Sequence, residues 1–275
     1  MSFAVQVALA AFALSPLAAQ DLVADEVAAK VRAVVEPQLG KKGAVGLSVG
    51  IGQHGAVLFT GGFGRADVEA GTAVDAATMF RIGSVTKQFT AAALLRFVAR
   101  GKLKLDDPLA QYVPTFATGG KTVTLRQLLT HTAGIPNYTE AGPLWGDTMA
   151  LELTHEKLLA TVAGKPLDFE PGTDFHYSNT GYYLLGMVLE KASGKKYEDL
   201  LRDEITTPLG LTRTRRDSNV DLIRNRAQGY AWQGRGAQGE LVNDQPYGTN
   251  QPGAAGFLLS TARDLVTWSM ALSSG

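Results

Sequence analysis

Ser84 and Lys87 stand three residues apart in Ser84-Val85-Thr86-Lys87, the spacing that stacks two side chains on one face of a helix, a turn apart. A serine hydroxyl is a weak nucleophile until a neighbouring base takes its proton, and a lysine amine withdrawn from water becomes neutral enough to do so. A helix opening at Ser84 would also turn free backbone N–H groups toward an oxygen that gains negative charge. The pair therefore suits acyl transfer through a serine ester. Taken alone, the same four residues equally describe an exposed serine cap followed by a solvated lysine, so their surroundings must decide.

Two other patterns spell known motifs in the wrong setting. Gly46-Leu47-Ser48-Val49-Gly50 matches the nucleophile elbow G-x-S-x-G, which needs a strand, a sharp turn at the serine and then a helix. Ser48 instead falls inside an alternating, strand-like run. Gly50-Ile51-Gly52-Gln53-His54-Gly55 matches G-x-G-x-x-G, but a dinucleotide site needs a helix after the glycines, and strand-like residues follow Gly55. Both sets of glycines read as the small face of a packed strand and its turn. His54, His131, His155 and His176 show no H-E-x-x-H or H-x-H spacing, so neither a metal site nor a cofactor is expected. His131 is expected to support a turn.

The elements that must hold Ser84 and Lys87 follow from periodicity. Leu22, Val23, Val27, Val31, Val34 and Val35 recur at helical spacing, which predicts a helix over 21–39 closed by Pro37 and Gly40. Val45, Leu47, Val49 and Ile51 alternate with small residues, Gln53-His54-Gly55 supplies turn chemistry and Ala56-Val57-Leu58-Phe59 returns, predicting a hairpin. No other strands are read with this clarity. Residues 84–100 form a long, largely buried helix stopped by Gly101, and short helical pieces fill 103–135, with Thr124 as an N-cap. Further helices are expected over 181–192, 197–206 and 261–272, with turns at Ser193-Gly194, Pro208-Leu209-Gly210 and the Gly-rich stretch 229–239.

The composition bounds the partner. With 275 residues, 45% of them hydrophobic, the chain can bury a sizeable core. Lys plus Arg equals Asp plus Glu at 26 each, leaving no global field for nucleic acid or an anionic membrane, so a small-molecule partner is expected. The lack of cysteine excludes disulfides, cysteine nucleophiles and zinc-thiolate sites. Residues 3–14 are apolar, Ser15-Pro16 break the run, and Ala18-Ala19-Gln20 offer a cleavage site. Residues 1–20 are thus expected to be a signal peptide, and the protein periplasmic or secreted with no stable membrane span afterwards.

Several ordered segments carry a family resemblance. Thr78-Met79-Phe80-Arg81-Ile82-Gly83-Ser84-Val85-Thr86-Lys87 resembles the active-serine segment of the β-lactamase and penicillin-binding superfamily, in particular its class C β-lactamase, D-alanyl-D-alanine carboxypeptidase and family VIII esterase group. Glu170-Pro171-Gly172-Thr173-Asp174-Phe175-His176-Tyr177-Ser178-Asn179 resembles its Tyr-x-Asn motif. Leu128-Leu129-Thr130-His131-Thr132-Ala133-Gly134-Ile135, Pro208-Leu209-Gly210-Leu211 and the segment from Gly256 to Leu265 look like further landmarks in the expected order. The resemblance covers roughly residues 25 to 275 and is more specific than any single motif.

The resemblance implies an α/β fold of α+β type, a serine β-lactamase/transpeptidase-like domain over 21–275 in which a helical region sits beside an antiparallel sheet. Ser84 would be acylated, Lys87 would accept its proton, Tyr177 would shuttle the proton to leaving group or water, and Asn179 would hold the substrate. The substrate would be an amide, a β-lactam, an ester or a peptidoglycan-like peptide, and whether Lys87 or Tyr177 is the base stays open. The alternatives are a carboxylesterase with no useful β-lactam turnover, a non-catalytic penicillin-recognising or scaffold protein, or an inactive fragment. His176 adjoins Tyr177 and lines the cleft only if the segment departs from extended geometry, where neighbours point to opposite sides. The family's third motif, Lys-Ser/Thr-Gly or His-x-Gly, is not found: Lys191-Ala192-Ser193-Gly194 closes a helix instead. The expectation is a C-terminally truncated domain whose incomplete sheet leaves open edges and whose activity is impaired.

Overall fold

A computed structural model describes residues 24–40, 43–140, 148–233 and 239–274. The expected signal peptide at residues 1–20 lies outside the described residues. Among those described there are seven α-helices and eight strands, all strand pairs being antiparallel. This is the expected α+β arrangement.

The N-terminal layer forms as its pattern dictates. Helix α1 (Ala24–Val35) buries Val27, Val31 and Val35, one per turn, against Phe63. Strands β1 (Gly46–Gln53) and β2 (Ala56–Asp67) make the predicted hairpin, with His54 and Gly55 both at positive φ in the turn. Two left-handed residues match the twist of the flanking strands. β2 continues past Phe59 and pairs with β3 (Thr72–Ala73), giving the order β1-β2-β3. Among the described residues β1 pairs only with β2, so its other edge is open.

Helix α7 (Ala262–Ser274) lies against this sheet because Gly50 and Gly52 leave room for it. A Cβ at either would come within 2.7 and 2.6 Å of Val266 methyl carbons. Ser48 pairs opposite Gly62 in mid-strand, and Gly50 to Gly55 run from strand into a hairpin turn. Neither motif rejected on sequence grounds has the helix it would need.

The helical body holds the larger core. Helix α2 (Thr86–Ala99) follows a single 3-10 turn over Gly83–Val85, so Ser84 precedes the regular helix, and Gly101 at φ +68 ends it. Helix α3 (Leu125–Leu129) starts at a capping box in which Thr124 and Gln127 satisfy each other's backbone N–H. Helix α4 (His155–Leu159) precedes α5 (Asn179–Ser193), which Ser178 caps and left-handed Gly194 closes. Helix α6 (Tyr197–Leu201) relaxes into a π turn over Arg202–Thr206, together filling the expected 197–206 helix. Phe89, Leu94, Leu125, Leu184, Leu185 and Leu189 are completely excluded from solvent at the centre. Trp268 of α7 stacks on Phe89 with centroids 4.2 Å apart and joins sheet to body.

Two expectations need correction. The stretch 229–239, read as a Gly-rich turn, contains β6 (Tyr230–Gln233), which forms a hairpin with β7 (Glu240–Asn243). A third sheet, in the order β4-β8-β5, is built from β4 (Phe80–Arg81), β5 (Arg215–Arg216) and β8 (Leu258–Ser260). Strands of two to four residues are too short to show alternation, and only tertiary pairing defines them.

Candidate active site

Ser84 is held between the short central sheet and helix α2. The Ile82 N–H donates to the Leu258 carbonyl at 2.9 Å, and the Leu258 N–H donates to Thr86 Oγ1 at 3.2 Å. One residue before Ile82, Arg81 donates to Asp217 at 2.6 Å, and Arg226 donates to the other carboxylate oxygen at 2.8 Å. Asp217 is fully buried. Burial opposes its ionisation, but the two guanidinium groups outweigh that and hold its pKa below the ordinary value. Gly83 adopts φ +49 to enter the turn, and Ser84 is exposed at its tip.

Lys87, the second residue of α2 and one turn beyond Ser84, is buried at 6% exposure. Its Nζ donates to Ser84 Oγ at 3.2 Å, Asn179 Oδ1 at 2.8 Å and the Ala255 carbonyl at 2.9 Å. Among the described residues no carboxylate pairs with it. Burial therefore acts without an opposing charge and lowers its pKa from 10.5 to about 7.

Tyr177 approaches the same oxygen from the α5 side, its hydroxyl donating to Ser84 Oγ at 2.7 Å. Burial raises its pKa, only partly offset by that bond, so near pH 7 Tyr177 is a phenol. Its ring lies 4.7 Å from the Lys87 amine. The three residues expected to do chemistry thus converge on one oxygen.

Asn179, the first residue of α5, directs its carbonyl oxygen to Lys87. Its Nδ2 donates to Asn137 Oδ1 at 3.4 Å and Thr139 Oγ1 at 3.3 Å. These bonds fix the amide, and the amide in turn fixes the amine. His131 supports a turn as expected, at φ +58, and its ring stacks on Tyr177. His176 is engaged by Asp168 at 2.7 Å and Glu140 at 3.3 Å, contacts that raise its pKa and leave it away from Ser84.

Sequence reasoning missed Ala255, Asn137 and Thr139. Ala255 acts through its carbonyl, which leaves no trace in residue type. Asn137 and Thr139 follow Pro136 in a polar turn, a weak signal for a side chain that caps its neighbours.

The family model described as Beta-lactamase matches residues 31–275. Esterase EstB of Burkholderia gladioli is 35% identical over 201 residues, covering 68% of this chain and 51% of that protein. Protein flp of Staphylococcus aureus (strain MRSA252) is 28% identical over 244 residues, covering 87% and 47%. The chain spans about half the length of the curated relatives it matches. Among solved structures, the octameric penicillin-binding protein homologue from Pyrococcus abyssi superposes with a TM-score of 0.77 at 34% identity, covering 88% of this chain and 55% of that one. The D-amino acid amidase from Ochrobactrum anthropi SV3 gives a TM-score of 0.74 at 28% identity, covering 85% and 68%.

Proposed function

Because the chain belongs to the Beta-lactamase family, matched over residues 31–275, we propose that it is a serine hydrolase that forms an acyl-enzyme on Ser84 from amide, β-lactam or ester substrates. One observation carries this reading: an amine with a pKa of about 7 and a protonated phenol meet at a single exposed serine oxygen. Burial makes the uncharged form of Lys87, which offers a lone pair, accessible near neutral pH, whereas Tyr177 is still a donor.

Lys87 is accordingly assigned as the base of acylation. Ser84 Oγ attacks the substrate carbonyl carbon, a C–O bond forms and the serine proton passes to Lys87 Nζ. As the tetrahedral intermediate collapses, the bond to the leaving group breaks and that group takes a proton from Tyr177, which Lys87 replenishes. Water then repeats the sequence on the ester and frees the acid and Ser84. Asn179 and the Ala255 carbonyl keep the amine aimed throughout. Positive partial charge at the helix start favours the oxyanion.

Support for ester or amide chemistry comes from similarity to an esterase and to a D-amino acid amidase. The test is hydrolysis of a p-nitrophenyl ester and a chromogenic cephalosporin by the 275-residue chain and its Ser84→Ala variant. Slow but continuing turnover that Ser84→Ala abolishes is expected of this chain. A stoichiometric burst without turnover would favour a penicillin-recognising protein, and turnover surviving Ser84→Ala would overturn the assignment. The same proposal places the protein in the periplasm or outside the cell, on the apolar run at 3–14 and the small residues before Gln20. N-terminal sequencing of exported material should then begin near Asp21, and an intact Met1 would refute export with cleavage.

A further inference from the structure

Tyr177 must keep its hydroxyl on Ser84 although it lies in a segment that is neither helix nor strand and is 37% exposed. Its neighbours in the chain are both tied to one residue. The His176 N–H donates to the His131 carbonyl at 3.0 Å, and the Ser178 N–H donates to His131 Nδ1 at 3.1 Å. Between these two bonds the His131 ring stacks on the Tyr177 ring, with centroids 4.5 Å apart and planes 29° from parallel. Tyr182 lies 5.1 Å from the same imidazole and donates its hydroxyl to the Leu129 carbonyl at 2.9 Å.

We infer that His131 is a positioning residue for Tyr177, gripping the backbone on both sides of it and stacking on its ring so that the phenol meets Ser84 Oγ. The inference rests on the reading of Ser84 and Tyr177 as acylation machinery. The backbone of His131 suits this role, since at φ +58 it turns the chain just after helix α3. The following loop continues the grip, with the Thr132 carbonyl accepting from the Gly172 N–H at 2.8 Å and the Gly134 carbonyl from the Asp168 N–H at 2.7 Å. Gly134 fits there because a Cβ would come within 2.3 Å of the Phe169 carbonyl oxygen. The bond from Ser178 places the imidazole hydrogen on Nε2. Burial, helped by the charge of Lys87, lowers the imidazole pKa to about 4, so that acceptor persists at neutral pH.

The experiment measures the rate at which a fluorophosphonate probe labels Ser84, mapped by peptide analysis, in the 275-residue chain. The variants are His131→Ala, His131→Asn, Tyr177→Phe and the double variants, each with a melting curve. His131→Ala is expected to slow labelling on the order of 10 to 100-fold, as a misplacement of about 1 Å does. In the Tyr177→Phe background it should cost less than about twofold, because the hydroxyl it positions is already gone. His131→Asn tolerates the left-handed backbone and offers an acceptor, but lacks the ring, so an intermediate loss is expected. That variant decides the matter if His131→Ala does not fold. Equal slowing in both backgrounds, or wild-type rates in His131→Asn, would overturn the inference while leaving the serine reading intact. Absence of label on Ser84 in the wild type would overturn the reading itself, and this inference with it.

Discussion

Tyr177 reaches Ser84 Oγ across 93 positions of chain to donate a 2.7 Å hydrogen bond, while Lys87 meets that oxygen from one helical turn away at 3.2 Å. In the proposed mechanism both groups handle the same proton, so their effects should not multiply. Lys87→Ala, Tyr177→Phe and the double variant are expected to lose similar amounts of kcat/KM. Independent, multiplying losses would show that one of the two is only structural.

The nucleophile can be identified directly. A fluorophosphonate or penicillin probe should label Ser84, and Ser84→Ala should lose turnover with a stability change of about 1 kcal/mol or less, since this side chain is exposed. Ser48 and Ser178 are the controls: one lies in mid-strand and the other caps α5. Label on either, with Ser84 free, would remove the central assignment.

On the proposed assignment of neutral Lys87 as the base, acylation should rise as pH increases through about 7 and level off above it. Lys87→Arg, which stays protonated, should lack that rise and be slowed on the order of 100-fold or more. Stability carries the same signature. Between pH 7 and the ordinary lysine value of 10.5, the unfolded chain keeps a proton that the folded chain has released. This group's contribution therefore becomes more favourable with rising pH, by an amount on the order of several kcal/mol over the full range. The melting temperature of wild type relative to Lys87→Met should accordingly increase from pH 7 to pH 10, and a flat difference would show that the amine is not desolvated.

Asp217 anchors the strand that delivers Ser84. Asp217→Ala leaves the part-exposed Arg81 and Arg226 without their shared buried partner and is expected to cost roughly 1 to 3 kcal/mol. Its lowered pKa means that this stability is present above the ordinary aspartate value of about 4 and is lost as pH falls below it. Denaturant melts of wild type and Asp217→Ala should therefore converge as pH falls below the ordinary aspartate value. Equal stability at pH 7 would refute the anchoring role.

What could be read from the sequence was whatever repeats or sits close together. Val27, Val31 and Val35 announced α1 by spacing, the alternation from Val45 to Ile51 announced β1, and Ser84 with Lys87 declared themselves within one helical turn. Tyr177 lies far along the chain and was reached only through resemblance of the segment around it. The Ala255 carbonyl that receives Lys87 was invisible, because an acceptor supplied by the main chain puts no constraint on residue type. The strands β4, β5 and β8 escaped because two or three residues have no period, and β6 was masked by the glycines near it. The turn at His131 follows from its sequence setting and is present, at φ +58. The stacking of His131 on Tyr177 depends on a loop-to-loop approach that no local pattern encodes.

The two hydrophobic clusters also set an order of events in time. Among the described residues, the cluster of Val27, Val31, Val35 and Phe63 has four buried members, whereas the helical body surrounds Ser84 and Lys87 with a far larger one. Regions with fewer buried contacts open at lower free energy. Amides of α1 are therefore expected to exchange with deuterium well before those of α2 and α5. The serine and its lysine would remain assembled through many cycles in which the N-terminal helix lifts from the sheet and returns.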